Sequence, residues 1–305
     1  MRTALNSIPL IDTAAIAERK ALAKVRMSCS PVDGRPLGVR SRGLCCDAQN
    51  CAIAKYVTSV AFLATRQPLT HFVTNGFMVP MGEFSAATFA REGAHRFHSA
   101  LVSSLPILED ALKDFPRDHA GIRIRECPTV RPFLAGDGPI GSIATRTLGK
   151  DARPVRAILF DKSAANNWSL GWHQDRTIRV KERRDVAGFG PWTKKAGAHH
   201  VAPPADLLSR MVTLRVHLDD VPAENGPLLI APGSHLYGRV SESELEAVVE
   251  KCGTATCLAE AGDVWIYSTL ILHASAAASR PARRRVLQVD YAAEPLPGGL
   301  EWLGV

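Results

Sequence analysis

Long apolar runs are missing from this 305-residue chain. No stretch approaches the roughly 18 consecutive apolar residues that a membrane span requires, so a soluble protein without a membrane partner is expected. Aromatic residues are also scarce, at 6 %, and are not interleaved with basic ones in any nucleic-acid motif. A net charge of +7 is therefore read as a solvated basic surface that favours anionic partners in general, with no nucleic acid expected. Nor is there a disulfide framework, because the seven cysteines are odd in number and scattered over Cys29, Cys45, Cys46, Cys51, Cys127, Cys252 and Cys257. A reducing, cytoplasmic setting follows as the simplest expectation. The local cluster "CCDAQNC" lacks the spacing and the neighbouring histidine of a zinc site. The N-terminus lacks the apolar stretch of a secretory signal.

What is present is the composition of an ordinary globular protein, with 46 % apolar and 22 % charged residues, in a chain long enough for a sizeable core. Residues 1–65 stand apart. They are basic, poor in aromatics, without a sustained period, and contain the turn-rich run "SPVDGRPLGVRSRG". They are expected to be a disordered extension or the product of a start placed too far upstream, with an organelle transit peptide as the competing reading. Residues 66–305 have the texture of one packed domain.

Within that domain Phe72–Pro80 reads as a short strand. The stretch "GEFSAATFAREGAHRFHSALVSSL" places Phe89, Phe97 and Leu101 near helical spacing, and "ILEDALKDF" suggests a second helix. Past "VRPFLAGDGPIG" the texture turns to short β-type runs: "VRAILFD", "MVTLRVHLDD", "GPLLIAPGSH", "GDVWIYS" and "RRVLQVDYA", separated by Gly, Pro, Asn and Asp. Helices followed by a series of strands predict an α+β chain whose second half is an antiparallel sandwich or jelly roll. The long segment between Asp175 and Met211 interrupts this series and is expected to be a lid or substrate loop. The adjacent His199 and His200 within it point to opposite faces in an extended chain and are read as loop-surface residues.

The chemistry centres on "NNWSLGWHQDRTIRV". His173 and Asp175, two apart, point to one side of an extended strand, with Gln174 directed away from them. Two histidines and a carboxylate occupy one face of an iron octahedron and leave three positions open for O2 and an organic cosubstrate. His273, in "GDVWIYSTLILHAS" and 98 residues beyond Asp175, is the candidate third ligand. Eleven positions further on lies Arg284, whose planar fork suits the distal carboxylate of 2-oxoglutarate. A second His-x-Asp, His217 and Asp219, competes for the metal role but precedes the "NGPL" turn and lies only 54 residues before His273. Arg283 and Arg285 compete with Arg284, although alternate residues of a strand face opposite ways.

Taken in order, "WHQD", "LDDVPAENGPLLIAPGSHLYG", "GDVWIYSTLILHAS" and "RPARRRVLQVDYA" resemble the phytanoyl-CoA dioxygenase family of Fe(II)- and 2-oxoglutarate-dependent oxygenases, over about residues 70 to 295. The resemblance implies a double-stranded β-helix, a cupin-like jelly roll, with flanking N-terminal helices. It implies Fe(II) held by His173, Asp175 and His273, with 2-oxoglutarate gripped by Arg284 and O2 as the further cosubstrate. Lys162 in "LFDKS" and Ser275 are weaker candidates for the 2-oxoglutarate site. Asn225, Gly226 and Gly233 are expected to set backbone geometry. Trp168 and Trp172 are read as packing residues or pocket walls. The N-terminal extension and the insertion after Asp175 are not shared by compact members of the family. Related halogenases replace the carboxylate with a small residue, so Asp175 points instead to oxygen insertion or desaturation. The expected activity is hydroxylation of a small organic substrate, anionic if the basic loops contact it, with release of succinate and CO2. A metal-dependent jelly-roll isomerase or lyase, and a non-catalytic binding protein of the same fold, are the competing classes. The substrate and the oligomeric state are not encoded in any legible motif.

Overall fold

The computed structural model describes residues 83–117 and 119–305, so the expectations for residues 1–65 and for Phe72–Pro80 lie outside the described residues. In chain order the strands begin with β1 (Ala94–Phe97), β2 (Ile122–Ile124), β3 (Arg153–Lys162) and β4 (Leu170–His173). They continue with β5 (Ile178–Val180), β6 (Trp192–Lys195), β7 (Ala198–Val201), β8 (Met211–His217) and β9 (Leu228–Ile230). The last four are β10 (Ala255–Cys257), β11 (Val264–Ser268), β12 (His273–Ser275) and β13 (Arg284–Ala292). All five quoted β-type runs contain strands.

Every ladder is antiparallel. A six-stranded sheet has the order β1-β11-β8-β13-β3-β2, and a four-stranded sheet the order β10-β9-β12-β4. The two pack face to face. Trp265 and Tyr267 of the larger sheet share one apolar cluster with Leu228, Ile230, Ala255 and Cys257 of the smaller, which makes the core a jelly roll.

The period of two along each strand sorts its residues between helices and cavity. In β13, Leu287, Val289 and Tyr291 pack outward with Val212, Leu214 and Val216 of β8 and Ala157 and Leu159 of β3. That outer layer is covered by apolar residues of the helices Ala86–Glu92, Leu105–Leu112 and Gly141–Leu148. The inward positions, Arg156 of β3, Arg215 of β8 and Arg284 and Gln288 of β13, line a cleft between the sheets. One sequence expectation is corrected. The helix of Phe89 does not run on to Phe97, because Gly93 adopts φ +75° and its N–H caps Phe89 O, after which the chain becomes β1.

The segment after Asp175 forms a third, three-stranded sheet in the order β5-β7-β6. Ile178, Val180 and Val201 on one of its faces join Leu208, Met211 and Leu300 in a separate apolar cluster. This part of the expected lid is thus anchored to the domain by a core of its own. His199 and His200 lie on β7, and His200 is buried at 2 % exposure, so the expectation of a loop-surface role fails for it.

Candidate functional site

β4 and β12 are hydrogen-bonded neighbours in the smaller sheet, and their register sets His173 directly opposite His273. The two imidazole centroids lie 4.2 Å apart. Each ring is tethered in the same way, with His173 Nδ1 donating to Gly171 O at 2.8 Å and His273 Nδ1 to Ile271 O at 3.0 Å. A carbonyl only accepts, so Nδ1 is the donor in both rings and Nε2 is the nitrogen each ring leaves for a metal. Burial first, then the neighbouring His173, pushes His273 down to about 4, so this imidazole is neutral at ordinary pH.

Asp175 follows directly on β4 and lines the same cleft. Its Oδ2 accepts from Arg156 Nη2 at 3.0 Å and from Gln288 Nε2 at 3.3 Å, while Oδ1 has no donor among the described residues. Burial works to raise this carboxyl, and Arg156 with the two imidazoles outweighs it and holds Asp175 below the ordinary carboxylate range. Arg156 is shared, because its Nε is bonded to Asp290, whose other oxygen accepts from Thr213 Oγ1 at 3.1 Å. Gln174 turns the other way, bonding Gly238 O, Leu270 O and Val240 N. Among the described residues no three His, Cys, Asp or Glu side chains are drawn together into a closed donor set. Two anchored imidazoles and a carboxylate with one free oxygen nevertheless share one cleft, and these donor types fit an iron ligated on one face.

The cationic wall of the cleft is built on β13 and β3. Arg284, 3 % exposed, donates through Nη1 to Gly226 O, and its Nε has no partner among the described residues. Burial, and then Arg215, lowers it to about 9, unusually far for a guanidinium. Lys162 is paired with Arg284 across the ladder and donates to Ala276 O at 2.8 Å, with Nζ lying 5.3 Å from the centre of the Trp168 ring. Burial and Arg284 push this lysine down to about 8. Ser275 Oγ makes only long contacts, 3.3 Å to Gly226 O and 3.4 Å to Ala276 O. Gly226 sits at φ +60°, where a Cβ would stand 2.7 Å from Ala276 O and 3.0 Å from Lys162 Nζ. Only glycine lets this carbonyl reach Arg284 with the lysine behind it.

Five of the six sequence candidates, His173, Asp175, His273, Ser275 and Arg284, therefore line one cleft, and Lys162 lies behind its wall. Trp168 lines it too, whereas Trp172 packs beside the cluster of Ala231, Val240 and Leu272. The rival assignments separate cleanly. Asp219 accepts from Arg285 at 2.6 Å, and His217 is buried without a partner among the described residues. Arg283 pairs with Asp161 at 2.9 Å, and Arg285 additionally with Glu109 at 2.6 Å, so neither is available to the cleft. Arg156, Arg215 and Gln288 line the cleft without having been singled out in the sequence. Their signal was a polar residue at an inward position of an otherwise apolar strand.

Among solved structures the chain is similar to EctD from S. alaskensis with 2-oxoglutarate and 5-hydroxyectoine, at 19 % identity and a TM-score of 0.52, covering 77 % of this chain and 83 % of that one. The apo form of EctD from S. alaskensis is matched at 18 % identity and a TM-score of 0.51, covering 77 % and 84 %. These likenesses concern the fold. No curated protein matches the chain. Residues 141–286 match the phytanoyl-CoA dioxygenase (PhyH) family, whose members use Fe(II), 2-oxoglutarate and O2.

Proposed function

We propose that the protein is an Fe(II)- and 2-oxoglutarate-dependent dioxygenase that hydroxylates a small anionic organic molecule, with His173, Asp175 and His273 as iron ligands and Arg284 as the anchor of 2-oxoglutarate. The observation that carries this reading is the meeting of two Nδ1-tethered imidazoles, a carboxylate with a free Oδ1 and a buried arginine without a carboxylate partner in one cleft.

Iron, when bound, supplies the activation of O2 that couples decarboxylation of 2-oxoglutarate to succinate and CO2 with transfer of one oxygen to a substrate carbon. The rest falls to the chain. His173 and His273 present Nε2, each ring held in place by its Nδ1–H tether to a backbone carbonyl. Asp175 offers Oδ1 while Arg156 and Gln288 hold Oδ2 and set the orientation of the carboxylate. Arg284 binds the distal carboxylate of 2-oxoglutarate, Lys162 adds positive charge behind it, and Ser275 Oγ can turn from its long contacts to the same group. Ile158, Phe160, Trp168 and Leu170 line the cleft and exclude water from the reacting centre.

Adding Fe(II) and 2-oxoglutarate to the full-length protein without oxygen is expected to produce a weak visible charge-transfer band. Admitting O2 should then form succinate, and H273A should abolish both signals. Iron uptake without the band would reject this reading in favour of a non-oxidative metal enzyme.

A further inference from the structure

The three-stranded sheet formed by the insertion carries a buried cation without a partner among the described residues, beside an imidazole that has none either. Arg179 of β5 and His200 of β7 are directly paired across their ladder. Arg179 is 1 % exposed and His200 2 %. Among the described residues none of the three guanidinium nitrogens of Arg179 has a hydrogen-bond partner, and neither does either ring nitrogen of His200. Leaving a buried charge unpaired is strongly destabilising. The apolar core lies on the other face of this sheet, where Ile178, Val180 and Val201 point, so packing does not require an arginine here.

The surroundings make the charge more positive. Arg123 and Arg125, the exposed residues flanking Ile124 on β2, act on Arg179, and Arg123, Arg156 and Lys195 act on His200. Arg125 Nη2 donates to Ala196 O at 2.7 Å, which ties the edge of the six-stranded sheet to the β6–β7 turn. The carboxylate that acts on Arg179 is Asp290, and it is committed to Arg156 and Thr213. Arg123 stands opposite Ile158 in the β2–β3 ladder, and Ile158 and Arg156 both line the catalytic cleft. The cationic set thus adjoins the wall of that cleft.

We propose that Arg179 and His200, with Arg123 at the rim, form an oxyanion subsite that holds a carboxylate or phosphate group of the organic substrate, apart from the Arg284 cradle. A guanidinium offers paired donors in a plane, and a neutral imidazole adds one N–H, which together match two or more oxygens of one anionic group. This deepens the reading of the cleft by naming the substrate class, and it rests on that reading only for the identity of the occupant.

The test is equilibrium dialysis of the full-length protein, kept anaerobic with Fe(II) and one equivalent of 2-oxoglutarate so that the Arg284 cradle is filled, against labelled inorganic phosphate and, separately, labelled acetate, at fixed ionic strength. Saturable uptake of about one equivalent of at least one probe is expected, and the preferred probe tells a phosphorylated substrate from a carboxylic acid. R179Q should weaken that uptake about tenfold or more, the loss of a charge-assisted pair of hydrogen bonds. Because Arg179 sits within a packed sheet, R123Q, at an exposed position, serves as an independent variant and should weaken uptake several-fold with the fold intact. R284A should leave uptake unchanged while abolishing the 2-oxoglutarate charge-transfer band, so failure of the subsite and failure of the oxygenase reading are distinguishable. Uptake no greater than that of an ionic-strength control overturns the proposal, as does uptake lost in R284A but retained in R179Q and R123Q.

Discussion

Lys162 and Arg284 face each other as paired residues of β3 and β13, and neither has a carboxylate partner among the described residues. Like charges directly opposite on one face of a sheet are destabilising. Here both are also almost wholly buried. An anion bound between the sheets would offset that cost, which makes the pair a strained receptor in its absence. Arg284→Met is accordingly expected to weaken 2-oxoglutarate binding by about 2–4 kcal/mol, roughly 30- to 1000-fold. The same variant should melt no lower, and by a few degrees higher, than the unliganded wild type, because a buried charge has been replaced by an apolar chain. Thermal melts with and without 2-oxoglutarate check both halves. A variant that retained the full ligand-induced shift would remove Arg284 from the site.

Gly226 links the two cations through its backbone, accepting from Arg284 and lying against Lys162. Gly226→Ala introduces a Cβ at 2.7 Å from Ala276 O at a φ of +60°. The expected result is a stability loss of about 1–3 kcal/mol, with weaker binding of 2-oxoglutarate and unchanged affinity for the metal. Denaturant melts and a 2-oxoglutarate titration of the anaerobic Fe(II) protein would reveal it. Equal losses in metal and 2-oxoglutarate binding would instead indicate general collapse of the cleft.

His95 of β1 packs between Phe84 and Phe97, with centroids at 5.4 and 4.7 Å. Burial and then Arg146 lower it from 6.5 to about 4. The unfolded chain therefore binds a proton between about pH 6.5 and 4 that the folded chain refuses, and stability must fall as pH drops through that window. His200 and His273, also pushed down to about 4 by burial first, contribute in the same direction. Urea midpoints across that range should decline, and His95→Phe should make the decline shallower without removing it. An identical slope in the variant would show that His95 already titrates normally.

How much of this was legible in the sequence differs between elements for physical reasons. The strands of the jelly roll were visible because each is an apolar run bounded by turn residues, and Arg284 was separated from Arg283 and Arg285 by strand alternation together with its eleven-residue step from His273. The helix after Ser85 was overextended because its apolar spacing continues through Phe97, and the signal that stops it is a single residue, Gly93. Arg156, Gln288 and Asp290 could not be found by spacing, since their meaning arises only when β3 and β13 are neighbours. His200 was misjudged for a related reason. A pair of histidines in a long polar segment looks solvated until the segment folds into a sheet with an inner face.

The shared guanidinium of Arg156 makes the last prediction the most demanding. It bonds Asp175 in the cleft and Asp290 beneath it, and both carboxylates depend on it for compensation of their burial. Burial raises Asp290 above the ordinary carboxylate range even with Arg156 present, so this carboxylate is only partly compensated. Arg156→Met strands a buried charge and should cost about 3–5 kcal/mol. Adding Asp290→Asn removes the stranded charge while keeping an acceptor for Thr213, and the double variant is expected to recover about 1–3 kcal/mol of that loss as a coupling energy. Iron affinity should behave differently. It should stay weakened in both, because Asp175 has lost the donor that orients it, a change of roughly 10- to 100-fold for a lost partner of a metal ligand. Additive stabilities in the double-mutant cycle would show that Arg156 and Asp290 do not act as a pair. Iron affinity restored together with stability would show that Arg156 supports the fold and not the orientation of Asp175.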